Sequence, residues 1–229
     1  YSNLHDISLL LPMRKKELFT QVLDYFEKTM DATETELNFR NNFELIVAVV
    51  LSAQCTDKRI NQVTPPLFKD YPTPAAMALA TPETIFEYIK SVSYPNNKAK
   101  HLVGLAQKLV ANFNGEVPST LEELTSLPGV GRKTANVVQA VAFHKAALAV
   151  DTHVFRVSHR LRLVPKRCTT PYSVEMELMK YIPKEKVAAG HYWLLLHGRY
   201  TCLARKPLCQ KCGLAHLCPS IGDYIQVKV

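Results

Sequence analysis

Apolar residues recur along most of the chain at the three- and four-residue spacing that is typical of amphipathic helices. Near the N-terminus, Leu18, Val22 and Phe26 share one stripe, which predicts a helix over residues 14–31. Residues 43–53 are apolar on nearly every side and predict a helix that is mostly buried. No segment alternates apolar and polar residues well enough to predict a strand. The pattern therefore predicts an all-α fold.

Capping residues and prolines set the predicted helix boundaries. A threonine followed by a proline marks a helix start at Thr73, Thr81 and Thr170, because the hydroxyl can cap the first turn and proline suits the first helical position. A helix capped by Thr56 is predicted to end before Pro65–Pro66, since proline lacks a backbone N–H. The other predicted caps are Asn42 and Thr120, and the other predicted helices cover residues 98–113, 121–127, 132–143, 152–162, 171–181 and 184–199.

Length and charge narrow the class of protein. The chain has 229 residues, which suits one large domain or two modest ones. Its 28 Lys and Arg residues against 20 Asp and Glu give a net charge of +8, which favours a polyanionic partner such as nucleic acid over a role in solubility alone. The longest apolar run, residues 45–51, is far shorter than the ~20 residues that span a bilayer, so no membrane partner is predicted. The first residues lack the layout of a signal peptide, but the chain does not begin with Met, so a removed targeting segment stays open.

The stretch LPGVGRK, residues 127–133, predicts a tight turn between two helices. Pro128 and Gly129 end a short helix, and Gly131 leads into the next one, which gives a helix-hairpin-helix shape. Glycine permits left-handed backbone and close approach, and the N–H groups at the start of the second helix can bind a DNA phosphate. A plain helix connection is the alternative for the turn taken by itself. The predicted phosphate-binding residues are Gly129, Val130, Gly131 and Arg132.

Lys133 lies in the first turn of the helix that follows. The positive end of a helix and the neighbouring Arg132 both disfavour an ammonium group, and burial would add to this effect. The position therefore indicates a nucleophilic amine. The alternative is an ordinary surface or phosphate-binding lysine.

Asp151 follows the apolar run 146–150 at a predicted helix start, where it is expected to be the N-cap. A capping carboxylate is fixed by backbone N–H groups and stays ionised. Because the chain turns back between Lys133 and Asp151, both are expected to face one cleft. A nucleophilic amine and a fixed carboxylate suit attack on a carbon that develops positive charge, such as C1′ of a nucleoside.

Four cysteines lie close together near the C-terminus with the spacing C-x6-C-x2-C-x5-C, and they are Cys202, Cys209, Cys212 and Cys218. Nothing suggests secretion, so this density of thiols indicates a metal centre rather than a disulfide framework. The spacing alone does not separate zinc from an iron–sulfur cluster. His191 and His197 are poorly spaced for one metal and are interpreted as structural. The basic residues between the cysteines, which would present a basic loop to phosphates, are Arg205, Lys206 and Lys211.

The segments LSAQCTD, LPGVGRKTANVV, AVDTHVFRV and WLLLHGRYTC occur in this order, and the last of them ends at Cys202, the first cysteine of the cluster. Together with the cysteine spacing they resemble the endonuclease III family of helix-hairpin-helix DNA glycosylases. The resemblance covers the chain from about residue 14 to residue 218. The four segments and the cysteine spacing are specific for this family only when they are taken together. The resemblance implies a bifunctional DNA glycosylase/AP lyase of base excision repair. It also implies that the four cysteines hold a [4Fe–4S] cluster that is structural and faces DNA.

The resemblance further implies a mechanism and a substrate. Lys133 would attack C1′ of a damaged nucleotide, form a Schiff base and drive β-elimination on the 3′ side. Asp151 would stabilise the developing sugar cation or assist proton transfer. The implied substrates are oxidised pyrimidines and abasic sites in double-stranded DNA. We expect a monomer, located in the cytoplasm and associated with the nucleoid if the source is bacterial.

Chemistry at C1′ requires that the nucleotide is flipped out of the base stack. The resemblance implies that Gln54 fills the vacated space and that the loop 93–97 supplies a wedge, for which Tyr94 and Val92 are the candidates. Relatives commonly have an aliphatic residue there, whereas Tyr94 could stack on bases. The other predicted pocket residues, each with a helix-start role as the alternative, are Asp57 and His153.

The resemblance implies two helical domains with the DNA cleft between them. A six-helix barrel with the hairpin would cover residues 36–147, and an iron–sulfur domain would cover residues 1–35 plus 148–229. Two other functions compete with this one. An adenine glycosylase acting on A·8-oxoG mismatches would share the fold, but by family pattern it lacks the lysine after GVGR. A non-catalytic DNA-binding protein would have no need of Lys133 and Asp151 together.

Overall fold

The computed structural model describes residues 14–30 and 35–224, and the regular secondary structure of these residues is entirely helical, which confirms the all-α prediction. The first helix ends at Thr29, two residues before the predicted end at residue 31, because Met30 has extended backbone. The α-helices of the described part are α1 (Lys15–Thr29), α2 (Asn42–Ser52), α3 (Asp57–Asp70), α4 (Pro74–Ala78), α5 (Pro82–Ile89), α6 (Pro95–Phe113), α7 (Leu121–Thr125), α8 (Arg132–Phe143), α9 (Thr152–Arg160), α10 (Pro171–Leu178) and α11 (Val187–Tyr200). Short 3-10 turns cover Lys184–Lys186, Cys209–Lys211, Ala215–Leu217 and Ile221–Asp223. None of the described helices is both long enough and apolar enough to cross a bilayer.

The caps agree with the sequence in most cases. The threonine of each Thr-Pro pair accepts a hydrogen bond from the backbone N–H three residues later, and Thr56 and Thr120 do the same at α3 and α7. The cap of α2 was predicted one residue too late. It is Asn41, whose side chain accepts from the Glu44 N–H at 2.9 Å, whereas Asn42 is already the first helical residue.

The prediction that α3 ends before Pro65–Pro66 is wrong, because the helix continues to Asp70. A proline inside a helix removes a hydrogen bond and crowds the preceding turn. The turn after the prolines carries Leu67 and Phe68, which are 0% and 4% exposed. Burying two such side chains contributes about 3–6 kcal/mol, which offsets much of the cost of the prolines. Tertiary packing therefore overrides the local signal.

Other helix ends differ from the prediction by one to three residues, as is common at helix termini. α6 starts at Pro95 rather than at residue 98, because Tyr94 takes up left-handed backbone with φ 55° and proline occupies the first turn. α9 and α10 end two and three residues early, at Arg160 and Leu178. α11 follows the 3-10 turn of residues 184–186 instead of including it.

The chain divides into two compact units. The central unit comprises Thr33–Ala149 and Lys184–Tyr192, and the terminal unit comprises Tyr1–Ala32, Val150–Pro183 and Trp193–Val229. This division differs from the predicted domains mainly at residues 184–192, which join the central unit, and its other boundaries lie within three residues of the predicted ones. A reason is visible at His191, whose Nδ1 lies 2.8 Å from the carbonyl oxygen of Ala149.

α2 is the buried helix of the central unit. All of its residues from Phe43 to Leu51 are buried, as the sequence predicts. Glu44 is among them, and its carboxylate accepts hydrogen bonds from the Arg40 guanidinium and from the Arg40 backbone N–H. α6 packs against α4 and α5. α8, the helix that follows the glycine turn, packs directly against the buried helix α2.

Aromatic side chains build the core of the terminal unit. Phe26 of α1 is fully buried and lies near Trp193 and His197, with ring centroids 6.2 Å and 5.4 Å away. Phe19 stacks on Tyr181 at 4.8 Å. These contacts hold α1 against the last part of α11 and the segment after α10.

Candidate active site and iron–sulfur centre

The two glycines of the predicted hairpin have different roles. Gly129 has φ +76°, and a Cβ there would lie only 2.9 Å from Cβ of His101. It is therefore required both by the left-handed backbone and by the close approach of α6. Gly131 is the N-cap of α8, with extended backbone and open space where a Cβ would lie. It contributes no side chain to the first turn of α8, which leaves that end of the helix accessible.

Val130 does not take the predicted position of a phosphate donor. Its side chain is 5% exposed and packs into the core, and its N–H donates to the Leu127 carbonyl at 3.1 Å. The N–H is used inside the turn, so the phosphate-binding prediction is wrong for this residue. In contrast, Gly129, Gly131 and Arg132 are exposed at the turn and at the start of α8.

Lys133 lies in the first turn of α8 and its side chain is exposed. The buried face of α8 is formed by other residues, including Asn136, whose side-chain amide donates to the Leu148 carbonyl at 3.0 Å. The expectation that burial would favour the neutral amine is therefore wrong. What the structure provides at Lys133 is access and a position directly after the glycine turn.

Asp151 is the N-cap of α9, as predicted. One carboxylate oxygen accepts the backbone N–H groups of His153 and Val154 at 2.9 Å and 2.8 Å. The other oxygen lies 2.8 Å from Nδ1 of His153, and because a carboxylate only accepts, Nδ1 carries the proton between them. His153 in turn packs against α11 at Gly198, where a Cβ would lie 2.7 Å from the Cβ of His153. The carboxylate is thus held in one orientation.

Lys133 belongs to the central unit and Asp151 to the terminal unit. That both face one cleft stays a prediction.

Gln54 and Tyr94, the predicted DNA-inserting residues, lie on two loops of the central unit that are joined by a hydrogen bond. The Ser93 hydroxyl donates to the Gln54 carbonyl at 2.7 Å. Both residues are exposed and both have left-handed backbone, with φ 56° and 55°. Val92 is only 4% exposed and is part of the core, so it is wrong as a candidate wedge. Asp57 is the first residue of α3 and is half-buried.

The four predicted metal ligands line one cavity, together with Arg160, His197 and Tyr224. Within the described part of the chain, no group of His, Cys, Asp or Glu side chains converges closely enough to hold a single metal ion. Four thiols around one cavity match the all-cysteine ligand set of an iron–sulfur cluster. Burial raises the pKa of the Cys212 and Cys218 thiols, so their ligation must release protons.

Two side chains outside the cysteine loop contact its sulfur atoms. Nη1 of Arg160 donates to Sγ of Cys202 at 3.3 Å, and Nε2 of His197 lies 3.7 Å from Sγ of Cys212. Burial lowers the pKa of His197 to about 4, so its imidazole is neutral at neutral pH. An N–H group directed at a ligating sulfur, as that of Arg160 is, orients the ligand and stabilises its negative charge. His197, interpreted as structural from its spacing, therefore adjoins the metal centre.

Arg160 also fixes the path of the cysteine loop. Its guanidinium donates to the carbonyls of Leu203 and Ala204 at 2.7 Å and 2.8 Å and stacks on Tyr224 at 4.5 Å. Its own carbonyl accepts from Ser220 at 3.0 Å. On the outer side of this loop, the predicted basic residues Arg205, Lys206 and Lys211 are all exposed.

Sequence reasoning missed two residues that support these sites, Arg160 and Lys98. Arg160 lies four residues after Arg156 on one face of α9, and the repeated arginine was the available signal. Lys98 lies four residues before Leu102, so it interrupts the apolar stripe of α6. A lysine in a buried stripe must find hydrogen-bond acceptors inside the protein. Nζ of Lys98 donates to the backbone carbonyls of Leu51 and Ala53.

Comparison with known proteins agrees with this architecture. Residues 47–184 match the model of the HhH-GPD superfamily base excision DNA repair protein, and residues 202–218 match the iron–sulfur binding domain of endonuclease III. The chain is 47% identical to endonuclease III of Synechocystis sp. over 215 residues, covering 93% of this chain and 97% of the relative. It is also 47% identical to endonuclease III of Escherichia coli K12 over 184 residues, covering 80% and 86%.

Solved structures show the same likeness. A trapped covalent intermediate of endonuclease III with DNA superposes with a TM-score of 0.87 at 44% identity, covering 92% of this chain and 99% of that one. A thermostable thymine-DNA glycosylase, at 24% identity, shares the fold with a TM-score of 0.80 and coverage of 91% and 97%.

Proposed function

The chain belongs to the HhH-GPD superfamily of base excision DNA repair proteins and, within it, to the endonuclease III family of DNA glycosylase/AP lyases with a [4Fe–4S] cluster, and we propose that it removes oxidised pyrimidines from double-stranded DNA through a Schiff base at Lys133. The observation that carries the proposal is the exposed amine of Lys133 in the first turn of α8, directly after a glycine turn open to close approach. The relative that was trapped covalently on DNA supports a covalent mechanism.

In the proposed reaction the neutral amine of Lys133 attacks C1′ of a flipped nucleotide. The bond between C1′ and the base breaks, and its electron pair leaves on the base, which takes up a proton. The nitrogen loses one proton, its lone pair forms the C=N bond as the C1′–O4′ bond breaks, and O4′ takes up a proton. The product is a protonated Schiff base between Nζ and C1′. Removal of a proton from C2′ then expels the 3′ phosphate by β-elimination, and hydrolysis returns the amine. An abasic site enters the same sequence after the base is lost.

Asp151 stabilises the positive charge that develops on the sugar. Support comes from its fixed carboxylate, since three hydrogen bonds to His153 and Val154 hold both oxygens before substrate binds. A group that is already oriented needs little reorganisation when the charge develops.

The remaining predicted residues serve DNA binding. Gly129, Gly131 and Arg132 bind a phosphate at the hairpin, and the proposed fillers of the base stack are Gln54 and Tyr94. Asp57 and His153 are each proposed to contact the damaged base. We expect a monomer, and the residues that bind the DNA backbone from the cluster loop are Arg205, Lys206 and Lys211.

The test is strand cleavage of duplex oligonucleotides that contain thymine glycol, an abasic site or an A·8-oxoG mismatch. The protein should cleave the first two substrates and leave the third intact. Lys133→Gln should lower cleavage by about 10³-fold or more, since it removes the nucleophile, while binding to undamaged duplex persists. Asp151→Asn keeps a good N-cap and removes the charge, so it should lower the rate with little effect on thermal stability.

Each competing function has its own outcome in this assay. Release of adenine opposite 8-oxoG without cleavage of thymine glycol would favour the adenine glycosylase. Binding of all three duplexes without any base release would favour a non-catalytic DNA-binding protein.

A further inference from the structure

Two exposed residues of the central unit are held in a conformation that their residue types disfavour. Gln54 follows α2 and Tyr94 precedes α6, and both have left-handed backbone, with φ 56° and 55°. A non-glycine residue in this region is strained and persists only where the surroundings enforce it. Tyr94 also exposes 63% of its surface, so its ring is presented to solvent instead of being packed.

Lys98 makes the main contacts that hold these two segments in place. This lysine of α6 is only 6% exposed, and Nζ donates to the carbonyls of Leu51 and Ala53 at 2.8 Å and 2.7 Å. Carbonyls at the end of a helix lack intrahelical donors and attract positive charge. Lys98 therefore binds the C-terminal end of α2, immediately before Gln54.

A second connection joins the same two segments. The Ser93 hydroxyl donates to the Gln54 carbonyl at 2.7 Å. Three carbonyls within four consecutive residues, those of Leu51, Ala53 and Gln54, are thus bound by side chains from the start of α6 and the loop before it. Burial lowers the pKa of Lys98, because the ammonium group loses hydration inside the protein.

We propose that Lys98 is a positioning residue that, with Ser93, joins the two loops into one rigid element and presents Gln54 and Tyr94 to DNA as a preformed pair. The inference rests on the proposed function, in which a nucleotide is flipped out and the duplex must be filled behind it. Ordering two separate loops at that moment would reduce the affinity for the flipped state, and preorganisation removes this penalty. The aromatic ring of Tyr94 can stack on the base it meets, whatever its identity.

The test measures insertion directly, with the complete protein carrying its cluster. A duplex contains a tetrahydrofuran abasic analogue next to 2-aminopurine, whose fluorescence rises when it is unstacked. Lys98→Met keeps most of the aliphatic stem and removes the ammonium. It should abolish most of the fluorescence rise and slow single-turnover excision of thymine glycol by about 10–100-fold. Binding to undamaged duplex, measured by anisotropy, should change less than about twofold, since phosphate contacts dominate it.

The matched control is Lys100→Met, which removes an exposed lysine two residues further along α6. It should leave the fluorescence rise intact. Ser93→Ala, with Ser91→Ala as its control, tests the same connection in case Lys98→Met does not fold. It should give a smaller loss, about 3–10-fold in excision, because one of the three hydrogen bonds is removed.

Epistasis separates positioning from a general structural role. In a Gln54→Ala/Tyr94→Ala background, Lys98→Met should cause no further loss of excision, because it acts through these two side chains. An additional loss of the full size seen in the wild-type background would overturn the proposal. So would a folded Lys98→Met, or a folded Ser93→Ala, with a normal fluorescence rise and rate.

The parallel measurement of covalent trapping at Lys133 keeps the two proposals apart. If trapping is normal but Gln54→Ala/Tyr94→Ala retains the full fluorescence rise, the loops do not insert and the positioning role of Lys98 is overturned, while the Schiff-base mechanism stands. If trapping is absent in the wild-type protein, the proposed function itself fails.

Discussion

Gly129 and Gly131 belong to one short motif, yet each is explained by a different physical requirement. Gly129 combines φ +76° with the contact to His101, whereas Gly131 has extended backbone and empty space around it. The sequence predicted the turn but not this division, because the neighbour of Gly129 comes from α6. Lys133 shows the same limit, since its position in α8 was predictable and its exposure was not.

The first prediction compares alanine at the two glycines. Gly129→Ala should lower the free energy of unfolding by about 2 kcal/mol or more, because left-handed backbone costs an L-residue about 1–2 kcal/mol and the new methyl group crowds His101. Gly131→Ala should change it by less than about 1 kcal/mol. Urea denaturation measures both. Equal losses at the two positions would contradict the assignment of separate roles.

At the scale of elements, helix identity was predictable and helix ends were less so. The Thr-Pro starts were confirmed because capping is a local interaction. The end of α3 was wrong because Leu67 and Phe68 are packed by distant parts of the chain. Local rules do not contain that information. For the same reason the four cysteines indicated a metal centre, but the contact of Arg160 with Cys202 required the structure.

The second prediction concerns α9 and the cysteine loop. Arg160→Met should accelerate loss of the cluster to an iron chelator by about tenfold or more, since partners of metal ligands contribute that much to affinity. Visible absorbance of the cluster and iron content per chain are the measurements. Arg167→Met, at an exposed arginine of the same unit, is the control and should leave both unchanged. Identical rates for the two variants would mean that the hydrogen bond to Cys202 does not stabilise the site.

The third prediction concerns the attachment of α1 to α10. Hydrogen bonds from Lys15 and Lys180 lower the pKa of Glu177 from 4.5 to about 2. The ionised Glu177 carboxylate therefore stabilises the folded protein fully above about pH 4.5, and this contribution to the free energy of unfolding is lost as the pH falls toward 2. Glu177→Gln should cost about 1 kcal/mol at neutral pH, a modest value because Lys180 is largely exposed and screened. The difference between variant and wild type in denaturation experiments should shrink as the pH falls through this range.

A matched surface pair provides the control for this measurement. Glu87 and Lys90 form an ion pair at 3.1 Å in which both side chains are more than 60% exposed. Glu87→Gln should change stability by a few tenths of a kcal/mol at most. An unchanged difference between Glu177→Gln and wild type down to pH 2 would contradict the role given to the lysines.

At the scale of the whole molecule, the net charge of +8 and the exposed basic residues of the cluster loop indicate binding to a polyanion. The fourth prediction is that Lys206→Ala lowers the slope of log affinity against log salt concentration by about 1. The effect should be the same for damaged and undamaged duplexes, since a phosphate contact carries no sequence information. Lys90→Ala, which removes a lysine paired with Glu87, should leave the slope unchanged.

The central claim is that one particular amine performs the chemistry, and mapping the covalent adduct tests it most directly. The protein is incubated with a duplex that contains an abasic site, reduced with borohydride, and digested, and the peptide that carries the sugar remnant is identified by mass spectrometry. The account predicts that the remnant is attached to Nζ of Lys133. Attachment to any other amine, or the absence of an adduct, would contradict it.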